Sequence, residues 1–595
     1  MRSLAEKRQA DQQLKIVSVD EPEVTPEPSL SPDTTLVSAI VQSLHQLGVE
    51  KAFGVSGGAI ALLFDALEES DIELHHFRHE SGAAFSAAEG YFASGKPSLV
   101  FATTGPGILN ALTGLTAARW DGAKVILVSG ATSSAQRGRW ATQETSSYTL
   151  PQDALYTKGP IFDFAIRLEH ASEFPEVVKR LSLGLSRPGG FVGHVCLPMS
   201  LQSSRVDRPS SHPNNRQSAP TVSNRDIEMV ARLLKPSRFA IWAGFGATSA
   251  SPLVQELAER SGAKVFCSPR AKGIVPESHP LFVGVTGLGG HEAVTEYMIQ
   301  ERPSWVLVLG TRLGEATSFW DRDMEPTEGF IHVDIDPEVP GTAYPDARTL
   351  GIQAEIGYFT NELLDHFPKR GASRMLGKRR RWEEPVTMRL AGRSPVRPQV
   401  LMEAIQRHVV QGSEALVMSE CGNSFAWCNH YLRFEEPARY RVSTLFGSMG
   451  HMTAGVVGAA LARGGKAVAV VGDGSMLMNS EISTATQYNA DAVWIVLNDS
   501  GYGMCRDGHQ ALGLTDQQVE FPRVDFVNLA RSMGADGARV ESEDMLDVAL
   551  EEATRAEGPF VVDVHIDPNE TSPLLRRFES LIKQGNAKNV AGWET

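Results

Sequence analysis

The sequence predicts an α/β protein built from three successive doubly wound parallel-sheet domains, and three observations carry that prediction. Apolar runs of strand length alternate with helix-length amphipathic stretches along most of the chain, the pattern of parallel sheets covered on both faces. Two segments poor in such runs, 203–224 and 368–398, cut the alternation into three blocks. In the last block, Val468–Val471 runs into Gly472-Asp473-Gly474-Ser475, a helical stretch follows from Asn479 to Tyr488, and a second apolar strand from Ala492 to Leu497 ends at Asn498. A chain of 595 residues has room for about three to four domains.

In chain order, residues 1–32 are polar and proline-containing (EPEVTPEPSLSP) and read as a disordered tail. An amphipathic helix opens the first domain near Thr34, and the alternation runs to residue 202, giving a domain at 33–202. Residues 203–224 are rich in Ser, Pro and Asn and read as a linker. The central domain, 225–367, shows buried-strand runs at 238–243 (RFAIWA), 264–267 (KVFC), 305–310 (WVLVLG) and 330–335 (FIHVDI). The basic stretch within 368–398 reads as a solvated connector. The third domain covers 399–570, and 571–595 is a tail whose RRFESLIK segment forms either a surface helix or a cover over a site.

Composition excludes several classes. A net charge of −15 argues against nucleic acid or an anionic membrane as the main partner. Five cysteines (Cys196, Cys267, Cys421, Cys428, Cys505) without CxxC or metal spacing fit a reducing cytoplasm. The opening MRSLAEKRQADQQLK lacks the apolar core of a signal peptide. The longest apolar run, near 452–471, is broken by Arg463 and Lys466, so no membrane span is expected.

Strand, glycine-rich turn, helix and strand together deliver backbone N–H groups to a phosphate and carboxylate oxygens to a divalent cation. Asp473 leaves one strand end and Asn498-Asp499 another, so hard oxygen ligands can converge where open α/β sheets bind ligands. The whole segment, GDGSMLMNSEISTATQYNADAVWIVLNDSGYG, resembles the thiamin-diphosphate and Mg²⁺ motif of the acetolactate synthase and pyruvate oxidase superfamily. Two further segments resemble that superfamily. RHESGAAFSAAEGYFASGKP (78–97) with TTGPGILNALTGL (103–115) is similar to its amino-terminal active-site region. TLFGSMGHMTAGVVGAALA (444–462) is similar to its pyrimidine-supporting loop.

The resemblance implies thiamin diphosphate and Mg²⁺ as cofactors. Asp473, Asp499 and the carbonyl of Gly501 would bind the metal, and Gly472, Gly474 and Ser475 would meet the diphosphate. Where the family pattern reads Asn-Asn this chain has Asn498-Asp499, which leaves open a shift of Asn498 into the ligand position. Gly422, Asn423 and Ser424 would clamp the other side of the diphosphate, or form a plain strand-end turn. Met449 would wedge the cofactor into a bent shape, the Gly447 carbonyl would accept from its pyrimidine amino group, and Glu80 would hydrogen-bond a pyrimidine ring nitrogen. His451 either faces the substrate or packs beside the loop, and Asn110 reads as structural.

Gly58, in the GVSGGA turn, would lie near the reacting centre, and Gln143 would orient an intermediate. Decarboxylases of this kind carry a His-His pair near Ala141, Thr142 and Gln143. Its lack here points to a carboligase that joins a 2-oxo acid donor to a carbonyl acceptor, with an aldehyde-releasing decarboxylase or a flavin-dependent oxidase as alternatives. SPRAKG (268–273) and GSMGH resemble the secondary-metabolite acyloin synthases, such as the cyanobacterial scytonemin-pathway type. GTRL (310–313) and HVDID (332–336) match FAD-binding segments of some relatives but also occur in flavin-free ones, so FAD is possible and not favoured. Glu80 and Asp473 would meet across a subunit interface, which makes a homodimer the smallest working unit and a homotetramer a common form.

Overall fold

The computed structural model describes residues 34–144, 153–206, 218–368, 392–478, 480–514 and 518–584. The expected tail at 1–32, residues 207–217 of the first linker and residues 369–391 of the second lie outside the described residues. Among the described residues, three six-stranded parallel sheets carry the fold, beside a two-stranded antiparallel pairing of Thr34–Thr35 with Arg205–Val206.

The first contains β1 (Lys51–Gly54), β2 (Glu73–His76), β3 (Ser98–Ala102), β4 (Lys124–Ala131), β5 (Phe164–Arg167) and β6 (Phe191–Pro198), in the order β2-β1-β3-β4-β6-β5. The central sheet contains β7 (Phe239–Ala243), β8 (Lys264–Cys267), β9 (Phe282–Val285), β10 (Trp305–Leu309), β11 (Gly329–Asp334) and β12 (Thr349–Gln353), in the order β9-β8-β7-β10-β11-β12. The third contains β13 (Leu416–Ser419), β14 (Tyr440–Val442), β15 (Ala467–Gly472), β16 (Ala492–Asn498), β17 (Asp536–Val540) and β18 (Phe560–His565), in the order β14-β13-β15-β16-β18-β17. The first and third sheets thus share one topology. Continuous Val/Ile/Leu/Ala runs form these strands because both faces are covered; every residue of β4 except Lys124, and every residue of β6, is buried.

Helices α1 (Glu80–Ser94), α2 (Pro106–Asp121), α3 (Asn423–Tyr431), α4 (His451–Arg463), α5 (Ile482–Gln487) and α6 (Leu575–Lys583) matter most for the site. Small residues let α1 and α4 meet closely. A Cβ on Gly458 would stand 2.1 Å from the Ser86 carbonyl oxygen, and one on Gly455 would stand 2.7 Å from Glu89 Cγ. A single buried apolar cluster therefore runs from Phe53 and Ala87 in the first domain to Val456 and Trp494 in the third. At the carboxyl end, α6 docks on the central domain through Arg576–Asp321 (2.6 Å) and Arg577–Glu315. Among the described residues, no helix is long and apolar enough to cross a membrane.

Candidate active site

Each sheet reverses direction of strand addition between two neighbouring strands, and loops leaving those carboxyl ends open a crevice. In the first domain the reversal lies between β1 and β3. Gly57 and Gly58 follow β1, and Gly58 is exposed with nothing within 4 Å of where its Cβ would be. After β3, Thr103–Gly107 turns into α2. Glu80 begins α1 and is buried at 7% exposure. Asn110 Nδ2 on α2 donates to Glu80 Oε2 at 3.0 Å, and a Cβ on Gly107 would sit 3.2 Å from Glu80 Oε1. Asn110, which reads as structural in the sequence, is thus a direct partner of the carboxylate. Gln143 is exposed in a left-handed turn (φ 59°), and its carbonyl accepts from Thr104 Oγ1 at 3.2 Å. Such a φ is uncommon for a residue with a side chain and is held here by tertiary contacts.

Loops from four strand ends converge in the third domain. Gly422 (φ 89°) and Asn423 follow β13; Gly447 (φ 60°), Met449 and Gly450 (φ 84°) follow β14. Gly472–Ser475 closes β15, and Asp499–Gly501 follows β16. Glu420 knits the first two together: its Oε2 accepts from Met452 N (3.0 Å), Thr453 N (3.1 Å) and Thr453 Oγ1 (3.1 Å), while Oε1 accepts from Cys421 N (3.1 Å). A Cβ on Gly450 would stand 2.9 Å from Met478 Cβ, so the Met449 loop leans on the segment after Ser475. Gly501 N donates to Asp473 Oδ2 at 3.2 Å, and Gly474 N to Asp473 Oδ1 at 2.8 Å.

The donor set suits a hard divalent cation. Burial, joined by the charge of Asp499, pushes the Asp473 carboxyl up to about 7 against the pull of nearby backbone N–H groups. Burial also raises Asp499, although Arg506 pairs with it. A buried Asp473 whose proton affinity is raised by the neighbouring Asp499 charge is a carboxylate that a cation would relieve. The Asn498 Nδ2 donates to Asp563 Oδ1 (2.8 Å) and the Val524 carbonyl (3.0 Å), while its Oδ1 is buried without a hydrogen-bond partner among the described residues. Ser424 turns its hydroxyl back onto the Glu420 and Cys421 carbonyls (3.0 and 3.2 Å), leaving only its backbone for a diphosphate. The Asn423 side chain bonds Asp507 (2.9 Å) and Ser572 (3.2 Å).

His451 occupies a buried ionic junction. Its Nε2 lies 3.1 Å from Glu89 Oε1, and its ring stacks on Phe85 at 4.7 Å between centroids. Of the two readings left open above, packing beside the loop is the one this geometry matches; at 1% exposure the ring is closed off within the chain. Burial opposes its charged form, but the Glu89 bond and charge outweigh that and raise its pKa. Arg441 grips both Glu89 oxygens at 2.9 and 2.7 Å and lies 3.8 Å from the Phe92 ring centroid. Glu89, Asp121 and His451 offer ligand atoms within 4.8 Å of one another, yet Arg441 and Arg270 already supply the cations there. Removing one member of a buried ion pair strands the other charge, so Arg441→Ala is expected to cost about 3–5 kcal/mol of stability, checked by denaturant unfolding.

A cleft of about 900 Å³ opens on the central sheet and is lined by Gly246, Arg270, Gly310, Arg312 and Asp334. It lies at the β7/β10 reversal, where the glycine turns touch: a Cβ on Gly310 would stand 2.7 Å from Gly246 Cα.

Residues 34–150 match the N-terminal TPP binding domain of thiamine pyrophosphate enzymes, 227–363 their central domain, and 420–564 their C-terminal TPP binding domain. The chain is 28% identical over 550 residues to the acetolactate synthase isozyme 1 large subunit of Escherichia coli, covering 89% of this chain and 94% of that protein. It is 29% identical over 574 residues to a probable acetolactate synthase large subunit of Methanocaldococcus jannaschii, covering 90% and 93%. It is 26% identical over 545 residues to a putative thiamine pyrophosphate-containing protein of Bacillus subtilis, covering 89% and 92%. With all three domains matched in order on three parallel sheets, the chain belongs to the thiamine pyrophosphate enzyme family, among its acetolactate-synthase-like members.

Proposed function

We propose that this enzyme decarboxylates a 2-oxo acid and joins the resulting acyl unit to a second carbonyl, giving an acetohydroxy acid or acyloin, with Mg²⁺ held by Asp473, Asp499 and the Gly501 carbonyl. The observation that carries the reading is the buried Glu80 carboxylate fixed by Asn110 beside the Thr104–Gln143 turn. When bound, thiamin diphosphate would supply the electron sink for loss of carbon dioxide and would return that electron pair for attack on the acceptor. Glu80 holds and returns a proton at the cofactor's pyrimidine nitrogen. Asn110 fixes the carboxylate's rotamer for that exchange. Gly474 and Ser475 would line the diphosphate at this turn, Ser475 with its backbone N–H, since the Gly474 N–H donates to Asp473 Oδ1. Gly58 leaves space, and Gln143 orients the reacting oxygen atoms.

The histidines nearest the site have other duties, which favours ligation over protonation to an aldehyde. His76 Nε2 accepts from Ser56 N at 3.1 Å, and burial and Arg78 lower its pKa, so it stays neutral. His79 Nδ1 accepts from Ser81 N at 3.2 Å as a helix cap, and His451 is engaged with Glu89. A second copy completes the site. Phe446, Met449, Leu477, Met478 and Tyr502 around the cofactor loops are 36–47% exposed, and Leu109 beside Glu80 is 41% exposed. Apolar surface of that extent around both halves suits burial against a partner.

Mass-spectrometric product analysis with thiamin diphosphate, Mg²⁺ and pairs of 2-oxo acids tests the proposal. Carbon–carbon coupled products are expected. Aldehyde and carbon dioxide alone would make the enzyme a simple decarboxylase, and acetolactate as the sole product would remove the acyloin-synthase assignment. The central cleft, with Arg270 and Arg312 beside its glycine turns, keeps bound FAD as a second reading. Flavin fluorescence of the heat-denatured supernatant reports it, and turnover without added flavin is the expected result.

A further inference from the structure

We propose that Glu481 is a positioning residue for Glu80, holding the peptide that leads into it from within the metal-binding motif. The inference rests on the role proposed above for Glu80. Glu481 lies on the segment between Asp473 and Asp499, just ahead of α5, and is fully buried. Its two carboxylate oxygens accept from two successive peptide N–H groups: Oε2 from Arg78 N at 3.3 Å and Oε1 from His79 N at 3.1 Å. These are the two residues immediately before Glu80. Thr484 Oγ1 donates to Oε2 and braces the carboxylate from its own helix.

The rest of this segment grips the same strand end. Tyr488 Oη accepts from His76 N at 2.6 Å. The Arg78 guanidinium donates to Ser483 Oγ at 3.1 Å and Gln487 Oε1 at 2.8 Å. Gly82, one turn into α1, is shaped to this contact: a Cβ there would stand 2.5 Å from Glu481 Oε1. The start of α1 is therefore set by side chains that lie more than 400 residues away in sequence, as the 403- and 402-residue separations of the two carboxylate bonds state. Only a carboxylate presents two acceptors to two adjacent N–H groups in this way. A glutamine has one acceptor and would turn an NH₂ against a peptide N–H.

Two variants of the full-length enzyme test the inference, Glu481→Gln and Gly82→Ala, the second displacing the carboxylate while keeping it. Both are expected to lower kcat by about tenfold to a hundredfold, with thiamin diphosphate affinity held within about twofold, since neither residue is assigned a cofactor contact. Solvent exchange of the thiazolium C2 proton in the bound cofactor should slow in parallel. In cofactor-free protein, deuterium uptake at the amides of Arg78 and His79 should rise. Equal loss of cofactor affinity and kcat, or unchanged amide protection in both variants, overturns the inference. A Glu80→Gln control that keeps full C2 exchange overturns the role of Glu80 and this inference with it. A control that loses exchange beside a Glu481→Gln that keeps it overturns this inference alone.

Discussion

Glu80→Gln is expected to lower turnover by about 10²–10⁴-fold, the range for removal of a positioned proton-transfer group. The fold should survive, because the amide oxygen of Gln can still accept from Asn110 Nδ2, now 3.0 Å from Glu80 Oε2. What the amide cannot do is release and recover a proton. Cofactor and metal affinity should change little, since the diphosphate and cation ligands assigned here all lie in the third domain. Steady-state kinetics and titration of thiamin diphosphate by tryptophan fluorescence separate the two effects. Near-normal turnover in the variant would remove Glu80 from the mechanism. An intermediate expectation applies to Asn110→Ala, which keeps the acid but frees its rotamer.

The fold was legible because fully buried parallel strands are written as continuous apolar runs. Residues 239–243, 264–267 and 305–309, apolar except for Lys264, form strands where the runs are expected. The Gly472–Ser475 turn was legible for the same reason: glycines and an aspartate at the end of such a run have few structural excuses. Asn110 escaped because the turn that presents it to Glu80 comes from another strand end. Glu420 and Glu481 gave only a weak signal, an acidic residue directly after a buried strand and one inside a motif already assigned to metal. Glu89 and Arg441 are paired over 352 residues, and a helix that reads as small and apolar gives no hint of a distant cation. Contacts made by topology are invisible to local pattern. For Ser424 and His451 the sequence offered the right neighbourhood, while side-chain direction depended on packing: one hydroxyl turned back onto the carbonyls that precede its helix, one ring went to Glu89.

Asp473→Asn is expected to reverse the order of stabilities with and without cofactor. In metal-free protein, burial and Asp499 hold the Asp473 pKa at about 7 against a reference of 3.8. The folded state therefore binds this proton more tightly than the unfolded chain. Stability is fully present below the unfolded value and is lost as pH rises from there through about 7, by up to about 4 kcal/mol at 1.36 kcal/mol per unit. Asparagine removes that cost but keeps one acceptor where Asp473 now serves both Gly474 N and Gly501 N, which takes back about 1 kcal/mol for the orphaned donor. At pH 8 the metal-free variant should thus unfold at higher denaturant than the metal-free wild type, and at pH 4 the difference should vanish or change sign. Adding Mg²⁺ and thiamin diphosphate should stabilise the wild type strongly, because a cation takes the place of the proton that burial and Asp499 hold on Asp473. The variant should gain little and turn over no substrate. A variant stabilised as much as the wild type by Mg²⁺ would show that the cation is held without Asp473. A wild type whose metal-free stability is flat from pH 4 to 8 would show that water reaches Asp473 more freely than its 1% exposure implies.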